Sequence, residues 1–343
     1  MKALMLREYG RLEMVEMPVP EAGDDELLVR VRACGICGSD VHGLDGSTGR
    51  RIPPIVMGHE AAGVVEKVGA AVKGFRPGDR VTFDSTIWCG NCWFCRQGRM
   101  NLCDNRRVLG VSCAEYRRHG AFAEYVAVPE RVAYRLPAEM PFEHAAMIEA
   151  VSIAVHAAGR AGVRPGDAAL VVGAGMIGTL AIQALRLAGC AAVIAADIEP
   201  SRLEMARRAG AEHTVDARSA DAAAQVIKAA GGRGADVALE VAGSSAALKL
   251  AVGAVRKGGT VVLVGNSSPT VELALQAAVS RELDLRGSCA SNGEYPRCIE
   301  LVAGGRIDVR PLLSALAPLE EGPRWFSRLY AREAGLMKVV LVP

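Results

Sequence analysis

"AALVVGAGMIG", residues 168 to 178, runs a short apolar strand pattern into the turn Gly173-Ala174-Gly175-Met176-Ile177-Gly178. Beyond it Ile177, Leu180, Ala181, Ala184 and Leu187 recur at helical spacing, and "AAVIAAD" (191 to 197) reads as a second strand ending in Asp197, 19 residues after Gly178. A glycine pattern alone is weak. Placed between a strand and a helix, with an acid near the expected distance, it specifies a dinucleotide site. The glycines let the backbone approach a pyrophosphate held at the helix N-terminus. Asp197 would accept from the ribose hydroxyls and repel a 2′-phosphate, which favours NAD over NADP.

The alternation continues. "PSRLEMARRAGA" (200 to 211) reads as a helix stopped by Gly210, "ADVALEVAG" (235 to 243) and "TVVLVG" (260 to 265) as buried strands, and "ELDLRGS" (282 to 288) as a last strand. Strands alternating with helices give a parallel, doubly wound sheet, an α/β unit expected over residues 151–287. The region 1–150 is different. Short β-branched runs such as "ELLVRVRA" (26 to 33) and "GVVEKVG" (63 to 69), punctuated by Gly and Pro, indicate a β-rich, barrel-like domain. Two domains suit a chain of 343 residues.

Half of the residues are apolar, and 40 Lys+Arg against 38 Asp+Glu leave a formal charge of +2. The arginine pairs (Arg50-Arg51, Arg106-Arg107, Arg117-Arg118, Arg207-Arg208) are scattered, so no footprint for nucleic acid or membrane is expected. "MKALMLREYG" reaches charged residues too soon for a signal peptide, and no apolar run of about 18 residues follows. A cytoplasmic location is expected. In a reducing compartment, clustered cysteines point to metal or redox chemistry rather than to disulfides.

"CGNCWFCRQGRMNLC" (89 to 103) sets Cys89, Cys92, Cys95 and Cys103 in a C-x2-C-x2-C-x7-C pattern. Four thiolates with no open position suit structural zinc. An iron–sulfur cluster can use the same donors, but its usual spacings differ. A closed site does no chemistry. The reactive centre is sought in "CGICGSDVHG" (34 to 43) and "GHEAAG" (58 to 63), which offer Cys37, Ser39, His42, His59 and Glu60, and in Glu149, an acid inside the apolar "MIEAVSIAVHA" (147 to 157). One sulfur, one imidazole and a carboxylate form the unequal ligand set of a catalytic zinc with one exchangeable position.

With "PGDRV" (77 to 81), "GAFAEY" (120 to 125) and "LVGN" (263 to 266), these motifs follow one another in an order that resembles the zinc-dependent medium-chain dehydrogenase/reductase family over nearly the whole chain. The resemblance implies a GroES-like catalytic domain interrupted by a Rossmann domain, with residues 288–343 returning to the first. It also implies two zinc ions per chain, NAD, and a homodimer or homotetramer acting on a small alcohol. By the same token Cys37, His59 and one of Glu60 or Glu149 become ligands of the catalytic zinc, the other carboxylate touching a metal-bound water. The dinucleotide site extends to Arg202, to Val264, Gly265 and Asn266, and to Ser288, Cys289 and Ala290.

Glu149 stands where ordinary alcohol dehydrogenases carry cysteine and polyol dehydrogenases carry glutamate. "IEAVSIAVHA" is thus similar to the polyol pattern, although Ala150 replaces its proline. Sorbitol dehydrogenases, however, have a tyrosine at the position of Gly43 and an arginine followed by an aromatic at Ala290 and Ser291. The resemblance therefore implies oxidation of a polyol, a sugar-alcohol phosphate or a smaller vicinal alcohol such as butanediol or threonine. The proton would leave through Ser39, the cofactor ribose and His42. Two other classes compete: a zinc-ribbon nucleic-acid module, which would gather basic residues around the four cysteines, and a cofactor-binding relative without catalysis.

Overall fold

The computed structural model describes residues 1–112 and 117–343. Two units emerge. Met1–Glu149, Tyr295–Gly305 and Val309–Pro343 form the first, and Ala150–Glu294 with Arg306–Asp308 form the second.

In chain order the first unit begins with β1 (Lys2–Glu8), β2 (Arg11–Glu16), β3 (Glu26–Gly35), α1 (Gly38–Gly43), β4 (Ile55–Val56), β5 (Glu60–Val68), β6 (Arg80–Phe83) and β7 (Thr86–Ile87). After α2 (Trp93–Arg96) come β8 (Arg107–Val108), β9 (Val111–Ser112), β10 (Arg117–Arg118), β11 (Tyr125–Pro129), β12 (Ala133–Arg135) and α3 (Phe142–Ala145). The second unit takes up α4 (Ile148–Ala161), then β13 (Ala168–Val172), α5 (Met176–Leu187), β14 (Ala192–Asp197), α6 (Pro200–Arg208), β15 (His213–Asp216), α7 (Ala222–Ala229) and β16 (Ala235–Glu240). It ends with α8 (Ser245–Ala254), β17 (Val255–Leu263), α9 (Leu275–Ser280) and β18 (Asp284–Gly287). The chain then returns through α10 (Tyr295–Ala303), β19 (Leu313–Pro318), α11 (Gly322–Tyr330) and β20 (Lys338–Val342).

The first unit holds a seven-stranded sheet in the order β12-β6-β5-β3-β20-β19, with β11 also on β3, and a three-stranded sheet β2-β1-β4. Leu27, Val29, Val31 and Cys34 of β3 join Leu4, Leu6, Ile55, Met57, Phe83 and Phe122 in its core. Phe326 of α11 meets Phe122 edge-on at 5.7 Å, so the last residues of the chain complete a core begun by the first. Each such buried side chain is worth about 1.5–3 kcal/mol.

The second unit is a six-stranded parallel sheet in the order β15-β14-β13-β16-β17-β18. Reading its strands by chain order gives 3-2-1-4-5-6, with the switch between β13 and β16. Gly178 is required by packing: a Cβ there would lie 1.8 Å from Gly173 O. Two details depart from the sequence reading. β15, "HTVD", was not foreseen because at the sheet edge Val215 is its one fully buried side chain. β17 begins at Val255 rather than 260 because an irregularity between Ala235 and Val237 lengthens the pairing.

The return to the first unit begins at Tyr295, seven residues after position 288. Ser288 N still donates to Leu263 O at 2.9 Å, and Glu294 pairs with His156, both inside the second unit. Tyr295 by contrast is fully buried, its ring stacked on Tyr134 of the first unit at 5.0 Å. No helix among the described residues is long and apolar enough to cross a membrane.

Candidate active site and metal centres

β3 and β5 pair so that Gly35 stands opposite Glu60. A Cβ on Gly35 would fall 2.4 Å from Glu60 Oε2, so only glycine lets this carboxylate lie across the strand. Two residues on, Cys37 caps the N-terminus of α1 while its own amide donates to Asp40 Oδ2 at 3.4 Å. The result brings Cys37, His59 and Glu60 together, their ligand atoms all within 4.8 Å of one another. Sulfur, imidazole nitrogen and carboxylate oxygen form a donor set that fits zinc.

Around these three lies a shell of buried charge. Asp40, fully buried, sits 3.3 Å from His59 Nδ1 in an oblique approach and takes two bonds from Arg51, Nε at 3.2 Å and Nη2 at 2.9 Å. Burial alone would push the Asp40 carboxyl up, but His59 and Arg51 outweigh it and bring it to about 2. For His59, burial alone would lower the imidazole, yet Asp40 and Cys37 hold it well above its ordinary value. With Nδ1 turned to Asp40, Nε2 is the nitrogen available to a metal. Lys338, the first residue of β20, donates to Glu60 Oε2 at 2.5 Å and to Ile36 O at 3.0 Å.

Glu149 stands in the first turn of α4. It does not join the 4.8 Å group, but burial first and the Glu60 charge second raise its carboxyl to about 7. Ser39 Oγ lies 3.4 Å from His59 Nε2 and accepts from Arg51 Nη2 at 3.2 Å. His42 is exposed on α1, at the solvent side.

Cys89, Cys92, Cys95 and Cys103 also gather within 4.8 Å. Backbone amides prepare the sulfurs as acceptors: Cys89 N donates to Cys103 Sγ at 3.2 Å, and Cys95 N to Cys92 Sγ at 3.5 Å. The Asn91 amide, followed by Asn105, lowers the Cys89 thiol to about 6, while burial pushes Cys103 up to about 12. A ready thiolate at Cys89, beside Cys95 and Cys103 whose thiols burial raises, is a set that a divalent ion would deprotonate.

In the second unit Asp197 Oδ2 accepts from Ala174 N at 2.7 Å and Oδ1 from Glu199 N at 2.9 Å, which ties the acid to the glycine turn. Arg202 Nη1 is 3.8 Å away. A Cβ on Gly175 would meet nothing within 4 Å, so the turn leaves open space over the N-terminus of α5, as a pyrophosphate requires. Ile177 lies in the first turn of that helix. The amides of Val264 and Gly265 both donate to Glu240 O, and Asn266 is exposed. Ser288 Oγ is buried, Cys289 is half-buried, and Ala290 adopts φ 50°.

Sequence reasoning quoted Asp40 without giving it a role and missed Arg51 and Lys338. A signal existed for the last: one lysine opening the apolar "KVVLV" (338 to 342) has to find an anion once that strand is buried.

The family model for the alcohol dehydrogenase GroES-like domain matches residues 23–138, and that for zinc-binding dehydrogenases matches 177–304. The sorbitol dehydrogenase of Bacillus subtilis is 34% identical, covering 100% of this chain and 97% of its own. The chain belongs to the zinc-dependent medium-chain dehydrogenase/reductase family, in its polyol dehydrogenase branch. Galactitol-1-phosphate dehydrogenase from Escherichia coli superposes with a TM-score of 0.91 at 29% identity over 100% of both chains. A Sinorhizobium meliloti structure described as a zinc-binding dehydrogenase bound to NADP also gives 0.91, at 35% identity, over 100% of this chain and 99% of that one.

Cys89→Ser should lower bound zinc by about one equivalent per chain and depress the melting temperature, since a closed metal site contributes folding free energy directly; metal analysis beside a thermal melt checks it. Glu149 gives a test with a sign. Its carboxyl is raised from 4.5 to about 7 in the metal-free fold, so its contribution to stability is complete below pH 4.5 and is lost as pH rises through 7. Zinc-free Glu149→Gln should therefore melt above the zinc-free parent at pH 8, with the difference closing towards pH 4.5. In chelator competition the same variant should bind the catalytic zinc about 10- to 100-fold more weakly.

Proposed function

We propose that the protein oxidises a secondary alcohol of a polyol, or of a related vicinal alcohol, to the ketone with NAD as acceptor, and catalyses the reverse. The observation that carries this reading is the Cys37, His59 and Glu60 group with Glu149 buried beside it. Zinc supplies a Lewis acid that lowers the pKa of the alcohol, and NAD takes the hydride while one proton is released. Cys37, His59 and Glu60 hold the ion. Lys338 engages Glu60 Oε2, leaving the second oxygen for the metal, and Glu149 is the further carboxylate beside the site. Asp40 orients the His59 ring through Nδ1. Ser39 would take the alcohol proton while passing its own to the cofactor ribose, and exposed His42 would take the proton from there and release it to water.

The structure also bears on the substrate. A Cβ on Gly43 would lie 2.3 Å from Arg51 Cγ, so the stem of Arg51 occupies the space into which a side chain at position 43 would project. A tyrosine of the sorbitol dehydrogenase kind has no room there, which supports a substrate other than sorbitol. The Asp197 carboxylate supports NAD, and Arg202 beside it is the cation a 2′-phosphate would seek. Exposed Val271, Leu273, Leu275 and Val279, next to the edge strand β18 with its own exposed Leu285, support a homo-oligomer. Cys89, Cys92, Cys95 and Cys103, gathered as ligands rather than as disulfides, support a reducing compartment such as the cytoplasm.

An absorbance assay at 340 nm with NAD and a panel of polyols, sugar-alcohol phosphates, vicinal diols and simple alcohols tests the activity. Turnover should be highest on a vicinal secondary alcohol and should disappear when the catalytic zinc is removed. Activity confined to primary monoalcohols would overturn the substrate class. Asp197→Asn keeps an acceptor for the Ala174 amide but loses the charge, and should narrow the NAD-over-NADP ratio of kcat/KM by roughly tenfold. An unchanged ratio would make Asp197 a structural cap alone.

A further inference from the structure

Helix α4 grips the segment after β18 at both ends. Arg160 Nε donates to Gly287 O at 3.1 Å, and Arg286 Nη1 donates to Arg160 O at 3.2 Å. One turn earlier on the same helix face, His156 Nδ1 meets Glu294 Oε1 at 2.7 Å, with the two side chains 12% and 21% exposed. Burial alone would raise the Glu294 carboxyl, but its bonds to His156 and to the Asn292 amide outweigh burial and lower it. It is thus an acceptor only, and the imidazole Nδ1 carries the hydrogen. Because Glu294 Oε2 also accepts from Asn292 N, one carboxylate both closes the turn and fastens it to the helix.

Between the two fastenings, Ser288 to Gly293 forms an arch. Ala290 within it holds φ 50°, the left-handed region, which a residue with a Cβ keeps only where its surroundings impose it. Ser288 Oγ, buried at one foot, has no hydrogen-bond partner among the described residues. We propose that His156 and Glu294 are positioning residues for the dinucleotide: they hold Ser288, Cys289 and Ala290 in the bound shape before the cofactor arrives, so that binding does not have to order the arch. This rests on the reading above that these three residues serve the dinucleotide. Preorganisation of this kind shows in affinity without any contact between the strap and the ligand.

The test titrates NADH fluorescence into the purified zinc-loaded enzyme. Glu294→Ala and His156→Leu should each weaken NADH binding roughly tenfold, the scale of one charge-assisted hydrogen bond. The KM for the best alcohol should stay near that of the parent, and the melting temperature should fall by about a few degrees, with the variants still fully folded at the temperature of the titration. His156→Asn, which places an amide N–H where Nδ1 stood, should bind within about twofold of the parent. Parent-like NADH affinity in Glu294→Ala overturns the proposal, as does His156→Asn binding as weakly as His156→Leu, or a fall in melting temperature that accounts for the loss. If the parent itself binds no NADH, the dinucleotide reading fails and the proposal goes with it.

Discussion

A carboxyl group at 1% exposure needs a partner for its oxygens, and here the partner is a cation from the far end of the chain. Lys338 is 278 residues from Glu60 in sequence and 2.5 Å from it in space. Burial alone would lower the lysine, but the Glu60 charge outweighs burial and keeps it protonated. Removing one partner of such a pair typically costs about 3–5 kcal/mol, because the other is left buried and uncompensated. The discontinuity of the first unit has its physical reason here. β20 returns to the sheet beside β3 and brings its lysine to the carboxylate next to Cys37 and His59. Arg51 does the same for Asp40.

The two metal centres solve opposite problems with the same element. The four-cysteine group is closed and lightly buried, and its sulfurs are prepared by amides of their own loop. The Cys37 group is buried among charges drawn from distant parts of the sequence, with unequal donors and hydroxyl and imidazole groups at its margin. The first is built to hold. The second is built to let one ligand change.

What the sequence disclosed follows this difference. The glycine turn, the helix behind it and Asp197 lie within 30 residues, and each obeys a local period, so β13, α5 and β14 were legible, as were α6, β16, β17 and β18 beyond them. Cys89, Cys92, Cys95 and Cys103 were legible for the same reason. Cys37, His59, Glu60 and Glu149 could be named from family likeness, but nothing in their spacing said which three would converge. β15 escaped notice because an edge strand shows too few apolar residues to set a period. Arg51 escaped because its pairing with Asp40 of α1 leaves no trace in the residues around it, and Lys338 because a charge opening an apolar run does not name its partner.

The loop that carries the four cysteines leaves and re-enters the first unit through a single two-rung ladder, Thr86 opposite Val108 and Ile87 opposite Arg107. Its ends are therefore already together before any ligand closes it. A loop held in this way is an appendix to the sheet rather than a link in it. Lengthening, trimming or replacing residues 88–106 would leave the register of β6 unchanged, and the entropy of a longer excursion grows only with the logarithm of its length. The stretches between the cysteines are thus free to diverge between descendants of the same ancestor, provided that the two rungs at the base and the four sulfurs are kept.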